Sequence, residues 1–123
     1  MPKQARKTKR SPYKPLTPKI AAALRRLVGD KFVVYDDAEK LEPYSHDEVA
    51  EKEYAHMPEA LVRPATAEQI AKILKLANRE RVPVTPRGAG SGLSGGAVPL
   101  HGGIVLLCDR MNQVLEIDRD GRI

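Results

Sequence analysis

The sequence predicts an α/β (α+β) domain in which a small parallel βαβ sheet is flanked by helices. Two observations carry this prediction. Short segments rich in Val, Ile and Leu alternate with segments in which apolar residues recur at helical spacing. A glycine-rich turn also joins two of the strand-like segments. With 123 residues, one Phe and no Trp, the chain holds one domain at most, and its core must be aliphatic.

The first 14 residues carry all of the net charge. They hold six basic residues and no acid, whereas residues 15–123 hold 15 basic and 16 acidic residues. Because prolines interrupt any amphipathic helix here, we predict that residues 1–16 form a basic disordered tail. Three other interpretations stay open: binding to nucleic acid, contact with an anionic membrane surface, and organellar targeting.

Residues 17–59 are predicted to form an N-terminal helical segment and a loop. Thr17 can cap a helix that has Pro18 at its first position and ends at Gly29. An extended segment over residues 31–35 and a short helix over residues 36–41 should follow.

An acidic, irregular stretch occupies residues 44–59, and we expect a surface loop folded over the rest of the domain. The stretch contains residue types that bind metals, namely His46, Asp47, Glu48, Glu51, Glu53 and His56. No two histidines are spaced to share one helical face, and carboxylates in polar loops are usually solvated, so no metal site is predicted.

A βαβ unit begins residues 60–123, the predicted first part of a cofactor-binding domain. Residues 60–63 form a strand, and Thr66 with Gln69 makes a capping box for a helix that reaches about Arg81. The predicted apolar stripe of this helix consists of Ile70, Ile73, Leu74 and Ala77. A return strand over residues 82–85 should run parallel to the first strand through a right-handed crossover. The glycine turn then lies at the carboxyl end of the sheet, where ligands of open α/β sheets bind.

The turn from Pro86 to Pro99 concentrates five glycines, at positions 88, 90, 92, 95 and 96. Glycine permits positive φ, so several N–H groups can point to one side and form a nest for an anion. Ser91, Ser94 and Arg87 can add donors suited to a diphosphate.

The common phosphate loops do not fit this turn. A P-loop requires Lys and Ser or Thr after the last glycine, but Ala97 and Val98 follow Gly96. Residues 90–95 satisfy the dinucleotide fingerprint G-x-G-x-x-G, yet Pro99 leaves no room for its helix. The kinase glycine loop lacks its Val-Ala-Ile-Lys strand. A flexible linker is disfavoured because buried-type strands flank the turn on both sides.

The run Arg-Gly-Ala-Gly-Ser-Gly-Leu-Ser-Gly-Gly at residues 87–96 closely resembles the flavin-diphosphate loop of the vanillyl-alcohol oxidase and p-cresol methylhydroxylase class of FAD enzymes. Within that class it is most similar to the FAD-linked oxidase group of glycolate oxidase flavoprotein subunits and D-lactate dehydrogenases. Matching motifs stand in the same order at residues 44–47, 61–64, 102–105 and 110–118, so the resemblance covers about residues 36–123.

The resemblance implies the N-terminal part of a PCMH-type FAD-binding domain, from an oxidoreductase that transfers hydride from a glycolate-type or D-lactate-type 2-hydroxy acid to flavin. By position, the cofactor-binding residues are Pro86, Arg87, Gly88, Ala89, Gly90, Ser91, Gly92, Ser94, Gly95 and Gly96. Some relatives attach FAD through a histidine in this loop. Ser91 stands at that position, so we predict non-covalent FAD.

The last residues predict a strand that lacks its partner. Residues 114–118 alternate apolar and polar side chains, and turn residues follow at 118–121. A hairpin strand should come after Ile123, so we expect an N-terminal portion of a larger flavoenzyme, through truncation or a split gene. The portion alone should not be catalytic, and no catalytic residue is assigned in it.

Other residues bear on compartment and partners. Cys108 lies at the end of an apolar strand and is predicted to be a buried, inert thiol in a reducing compartment, and His101 is predicted to be a loop residue. We expect a cytoplasmic protein that contacts the membrane at most peripherally. Its expected partners are a 2-hydroxy-acid substrate and an electron acceptor or partner subunit, without nucleic acid. The alternatives are a non-catalytic nucleotide-binding partner subunit and a small nucleic-acid-binding protein that uses the basic arm.

Overall fold

The computed structural model describes residues 11–49 and 54–123. It contains three α-helices and four β-strands in these residues. The helices are α1 (Pro18–Val28), α2 (Ala38–Leu41) and α3 (Ala67–Glu80), and the strands are β1 (Val33–Tyr35), β2 (Ala60–Val62), β3 (Val84–Arg87) and β4 (Ile104–Leu107). The α/β class predicted from the sequence is confirmed.

The four strands form one mixed sheet in the order β1-β2-β4-β3. Strand β4 runs parallel to both of its neighbours, β2 and β3, whereas β1 is antiparallel to β2. Strands β2 and β3 therefore point the same way, as predicted, but β4 lies between them. The central position suits β4, because all four of its residues are buried. Strand β3 takes the edge, where the missing N–H of Pro86 breaks no ladder.

The two faces of the sheet bury different side chains, because successive residues of a strand point to opposite sides. On one face, Val62, Ile104 and Leu106 pack with residues of α1 and α3 in the main core. On the other face, Leu61 and Val105 pack in a smaller cluster with Leu107 and with Leu41 of α2. Helix α1 and strand β1 therefore share the main core with β2 and β4.

Both longer helices begin at the predicted caps. The Thr17 hydroxyl accepts a hydrogen bond from the Ile20 N–H, and the Thr66 hydroxyl accepts one from the Gln69 N–H. The Gln69 side chain in turn accepts from the Ala65 N–H at 2.7 Å, so the capping box closes one residue earlier than the standard pattern.

The buried face of α3 differs from the predicted stripe at one position. Leu74 is 42% exposed, and Leu76 is buried in its place beside Ile73 and Ala77. The packing of α1 across α3 explains the difference, because Leu76 belongs to the core cluster that α1 completes.

Both ends of the described chain depart from expectation. Part of the tail predicted over residues 1–16 is packed: Leu16 is buried in the core, and the Lys14 N–H donates to the Arg81 carbonyl at 2.9 Å. Residues 1–10 lie outside the described residues. The strand predicted over residues 114–118 does not form, since the described chain supplies no strand beside it. The predicted turn does form, and two backbone hydrogen bonds between Asp118 and Ile123 close it.

Candidate functional site

The glycine loop, defined as residues 88–96, starts at the carboxyl end of β3. Strands β2 and β4 end at the same edge, because all three strands run parallel. The chain then returns through residues 97–103 to the beginning of β4. The loop therefore lies at the edge where the sequence predicted a ligand site.

The backbone of the glycine loop curls at two glycines. Gly90 has φ of 71° and Gly95 has φ of 76°, values in the left-handed region that favours glycine. At Gly88, Gly92 and Gly96 an added Cβ would meet no heavy atom within 4 Å. The outer surface of the loop is thus open backbone that a ligand can approach directly.

The predicted site residues divide into an exposed and a buried group. Arg87 and Gly90 are buried, and Gly95 is half-buried. The exposed ones are Pro86, Gly88, Ala89, Ser91, Gly92, Ser94 and Gly96. Among the described residues, an acceptor is supplied to only one amide of the loop, the Gly95 N–H. In this part of the structure the amides of the exposed loop residues have no protein acceptor, so a surface anion can approach them.

Arg87 turns its side chain beneath the loop. Its guanidinium donates to the His46 carbonyl at 2.6 Å and lies 5.5 Å from the centre of the Tyr44 ring. It also sits where a Cβ on Gly90 would project, so a side chain there would displace the guanidinium as well as meet an unfavourable φ of 71°. The ion pairs found among the described residues do not include Arg87. A largely buried positive charge therefore underlies the loop.

A segment that we name the clasp, Ser45–Val49, packs against the glycine loop. Besides the bond from Arg87 to His46, the Glu48 N–H donates to the Gly92 carbonyl at 3.2 Å. The Asp47 carboxylate accepts from the Gly95 N–H at 2.9 Å. Asp47 is buried, at 7% exposure. Reasoning from sequence missed this role, although the motif at residues 44–47 was a signal.

The histidines and acids of residues 44–59 do not assemble into a metal centre in the described part of the chain, where no group of three potential ligands occurs. Glu51 and Glu53 lie outside the described residues. His101 is an exposed loop residue, and its ring lies 5.0 Å from that of Tyr13. Cys108 is half-buried rather than buried, because it follows the last residue of β4 and leaves the sheet.

An ion pair occupies the same edge of the sheet. The Arg63 guanidinium donates to both oxygens of Asp109, at 3.0 and 2.5 Å. These hydrogen bonds lower the pKa of Asp109 and raise the pKa of Arg63 from their ordinary values. Arg110 stacks on Phe32 at 3.4 Å from the ring centre and donates to the Arg63 carbonyl. The chain that leaves β4 is thereby fixed against the end of β2.

A cleft of about 540 Å³ adjoins the glycine loop. Strand β3 and helix α3 form two of its walls, and the chain from Gly95 to His101 forms a third. Thr85 and Asn78 contribute polar side chains, and Val98 and Leu74 contribute apolar ones. Its volume falls within the range of small-molecule sites.

Fold and loop together define a class of cofactor-binding domain, and comparison with known proteins identifies it. The family described as FAD binding domain matches residues 58–123, more than half of the chain. The chain belongs to this family, and FAD is its cofactor. The FAD-linked oxidase resemblance drawn from the sequence is confirmed.

Two curated relatives and one solved structure show which FAD-binding proteins the chain resembles. The chain is 46% identical over 77 residues to glycolate oxidase subunit GlcD of Bacillus subtilis, an alignment covering 63% of this chain and 16% of that protein. It is 35% identical over 108 residues to D-lactate dehydrogenase of Anaerostipes hadrus, covering 88% and 22%. A crystal structure of p-cresol methylhydroxylase with substrate bound superposes with a TM-score of 0.72 at 28% identity, over 86% of this chain and 22% of that one.

The chain spans about a fifth of the length of the relatives that it matches. It is thus an FAD-binding region related to those of glycolate oxidase and D-lactate dehydrogenase. Among the described residues, no helix has the length and apolar character needed to cross a membrane.

Proposed function

We propose that this chain binds the diphosphate of FAD on the glycine loop of a flavoenzyme that oxidises a 2-hydroxy acid of the glycolate or D-lactate type to the 2-oxo acid. The relatives named glycolate oxidase and D-lactate dehydrogenase support this substrate class. Glycolate and D-lactate are chemically similar, since each carries a hydroxyl on the carbon beside a carboxylate.

The loop geometry carries the binding part of the proposal. Open backbone at Gly88 and Gly92 lets a diphosphate lie against the N–H groups without meeting a side chain. The buried Arg87 guanidinium adds positive charge from below, where the low dielectric strengthens its attraction for an anion. The cleft beside β3 meets the loop at Gly95 and Gly96, so it adjoins the far end of the loop from Gly88. These features fit the cofactor that the family binds.

The residues of this chain have a binding role in the proposed reaction. Bound FAD supplies the hydride acceptor for the α-carbon of the hydroxy acid. The loop amides hold the diphosphate, and the fixed β3 end determines where the cofactor lies along the sheet edge. We assign no catalytic group to this chain. An electron acceptor or partner subunit would complete the reaction, because the two electrons taken from the hydroxy acid must leave the enzyme after each turnover.

A titration tests the binding step. The protein that contains this chain, purified at its natural length and stripped of flavin, is titrated with FAD, ADP and riboflavin while fluorescence or heat is recorded. We expect FAD to bind, ADP to compete with it, and riboflavin to bind far more weakly because it lacks the diphosphate. Equal affinity for riboflavin and FAD would contradict the loop assignment.

A reduction assay tests the substrate class separately. The FAD-loaded protein is mixed anaerobically with glycolate, D-lactate and, as a control, L-lactate, and bleaching of the flavin absorbance is followed. We expect glycolate or D-lactate to bleach it. Tight FAD binding without bleaching by either acid would leave the binding site intact and overturn the proposed substrate.

A further inference from the structure

We propose that Asp47 is a positioning residue for the cofactor site, whose buried carboxylate holds the glycine loop in its present conformation before FAD binds. The inference rests on the proposed function of the loop. Asp47 lies 48 positions before Gly95 in the sequence, so the glycine pattern of the loop gives no indication of this role.

The Asp47 carboxylate is held by backbone donors. One oxygen accepts from the Gly95 N–H and the other from the Val49 N–H, each at 2.9 Å. The ion pairs found in the described part of the chain do not include Asp47. A buried carboxylate is costly unless hydrogen bonds compensate it, so the Gly95 amide is fixed by the need of Asp47 for a donor.

This contact lies at a point where the loop needs support. Gly95 has φ of 76°, and no heavy atom lies within 4 Å of the position its Cβ would take, so neighbouring side chains do not hold it by packing. The clasp contacts the loop once more, through Glu48 to Gly92, and it contacts Arg87 at the end of β3 through the His46 carbonyl. Asp47 supplies the only charged oxygen among these three contacts.

A loop that is already ordered binds its ligand more tightly, because binding does not have to supply the free energy of ordering the loop. Asp47 thus acts on FAD through the loop rather than by touching the diphosphate. A competing possibility is that the carboxylate occupies a phosphate position and repels the cofactor. The two possibilities predict opposite changes in affinity when the charge is removed.

Three variants separate them: Asp47→Ala, Asp47→Asn and the control Glu39→Gln. Glu39 is an exposed acid of α2 that belongs to neither the clasp nor the glycine loop, and the ion pairs found among the described residues do not include it. Asp47→Ala removes both acceptors, whereas Asp47→Asn keeps the shape and one acceptor oxygen. Amide hydrogen exchange of residues 88–96 without FAD and the FAD dissociation constant are measured for each variant.

We expect Asp47→Ala to raise exchange within the glycine loop and to raise the FAD dissociation constant about tenfold or more. Asp47→Asn should give a smaller change in the same direction, and Glu39→Gln should match the unaltered protein. Slow amide exchange in β2 and β4 shows that a variant is folded. If Asp47→Ala loses this protection, the result for Asp47→Asn tests the role of Asp47.

Unchanged loop exchange, or tighter FAD binding after either substitution, would overturn the role of Asp47. Absence of FAD binding by the unaltered protein would overturn the proposed function instead. In that case the exchange measurement still decides whether Asp47 orders the loop, because it requires no cofactor.

Discussion

Two substitutions within the glycine loop should separate ligand binding from folding. Gly92→Val places its Cβ in open space, with no heavy atom within 4 Å, at a backbone conformation outside the left-handed region. Gly90→Val places the same side chain at φ of 71° and into the Arg87 guanidinium. The two residues stand only two positions apart, so each serves as the control for the other.

The expected magnitudes follow from these surroundings. Gly92→Val should change the free energy of unfolding by no more than about 0.5 kcal/mol, as is usual for exposed positions. Gly90→Val should lower it by about 1–3 kcal/mol, since a β-branched residue is strained at positive φ and displaces a buried side chain. Gly92→Val should still weaken FAD binding at least about tenfold, or about 1.4 kcal/mol, because its methyl groups keep the diphosphate from the backbone.

Chemical denaturation of the flavin-free protein and FAD titration measure the two effects independently. A folded Gly92→Val protein with unaltered FAD affinity would refute the assignment of the diphosphate to this loop. Destabilisation of the flavin-free Gly92→Val protein by more than about 1 kcal/mol would refute the expectation that a side chain at position 92 meets no other part of the protein.

Three further predictions concern other positions. Gly103→Ala should lower the free energy of unfolding by about 1–3 kcal/mol in thermal denaturation, because φ is 71° and the new Cβ would overlap the Pro83 carbonyl. The pKa of Asp109 is lowered by Arg63, so their pair stabilises the fold above the ordinary carboxyl pKa and is lost as pH falls through the lowered value. Asp109→Asn should therefore reduce the loss of unfolding free energy between neutral and acid pH, by less than about 1 kcal/mol because the pair is partly exposed. An unchanged pH dependence of the unfolding free energy would contradict this. Acid precipitation of the FAD-loaded protein should release its yellow colour, since Ser91 cannot form the histidyl bond, and a coloured pellet would show the prediction to be wrong.

Features encoded by neighbouring residues were predictable from the sequence. The starts of α1 and α3 follow from Thr17 and Thr66, whose hydroxyls accept from N–H groups three residues ahead. The apolar run of β4 identified a fully buried strand. The glycine loop was recognisable because its composition permits few other structures.

Features that depend on distant contacts were not predictable in the same way. Nothing local to β4 indicates that it inserts between β2 and β3, because strand order is decided by packing of the whole sheet. The burial of Leu76 instead of Leu74 depends on where α1 crosses α3. The sequence predicts a solvated loop acid at Asp47, since its partner Gly95 is brought to it only by the folded chain.

The two buried charges beside the glycine loop have opposite signs and lie at different points along it. Arg87 lies beneath Gly90, whereas the Asp47 carboxylate is bonded at Gly95. A diphosphate is attracted by the first charge and repelled by the second, and both effects are strengthened by burial. Under the proposed function we therefore expect the phosphates at the Gly88–Gly92 half of the loop, where Gly88 and Gly92 present open backbone. The Asp47 carboxylate would then hold the loop at Gly95, and the external anion would bind at the other end.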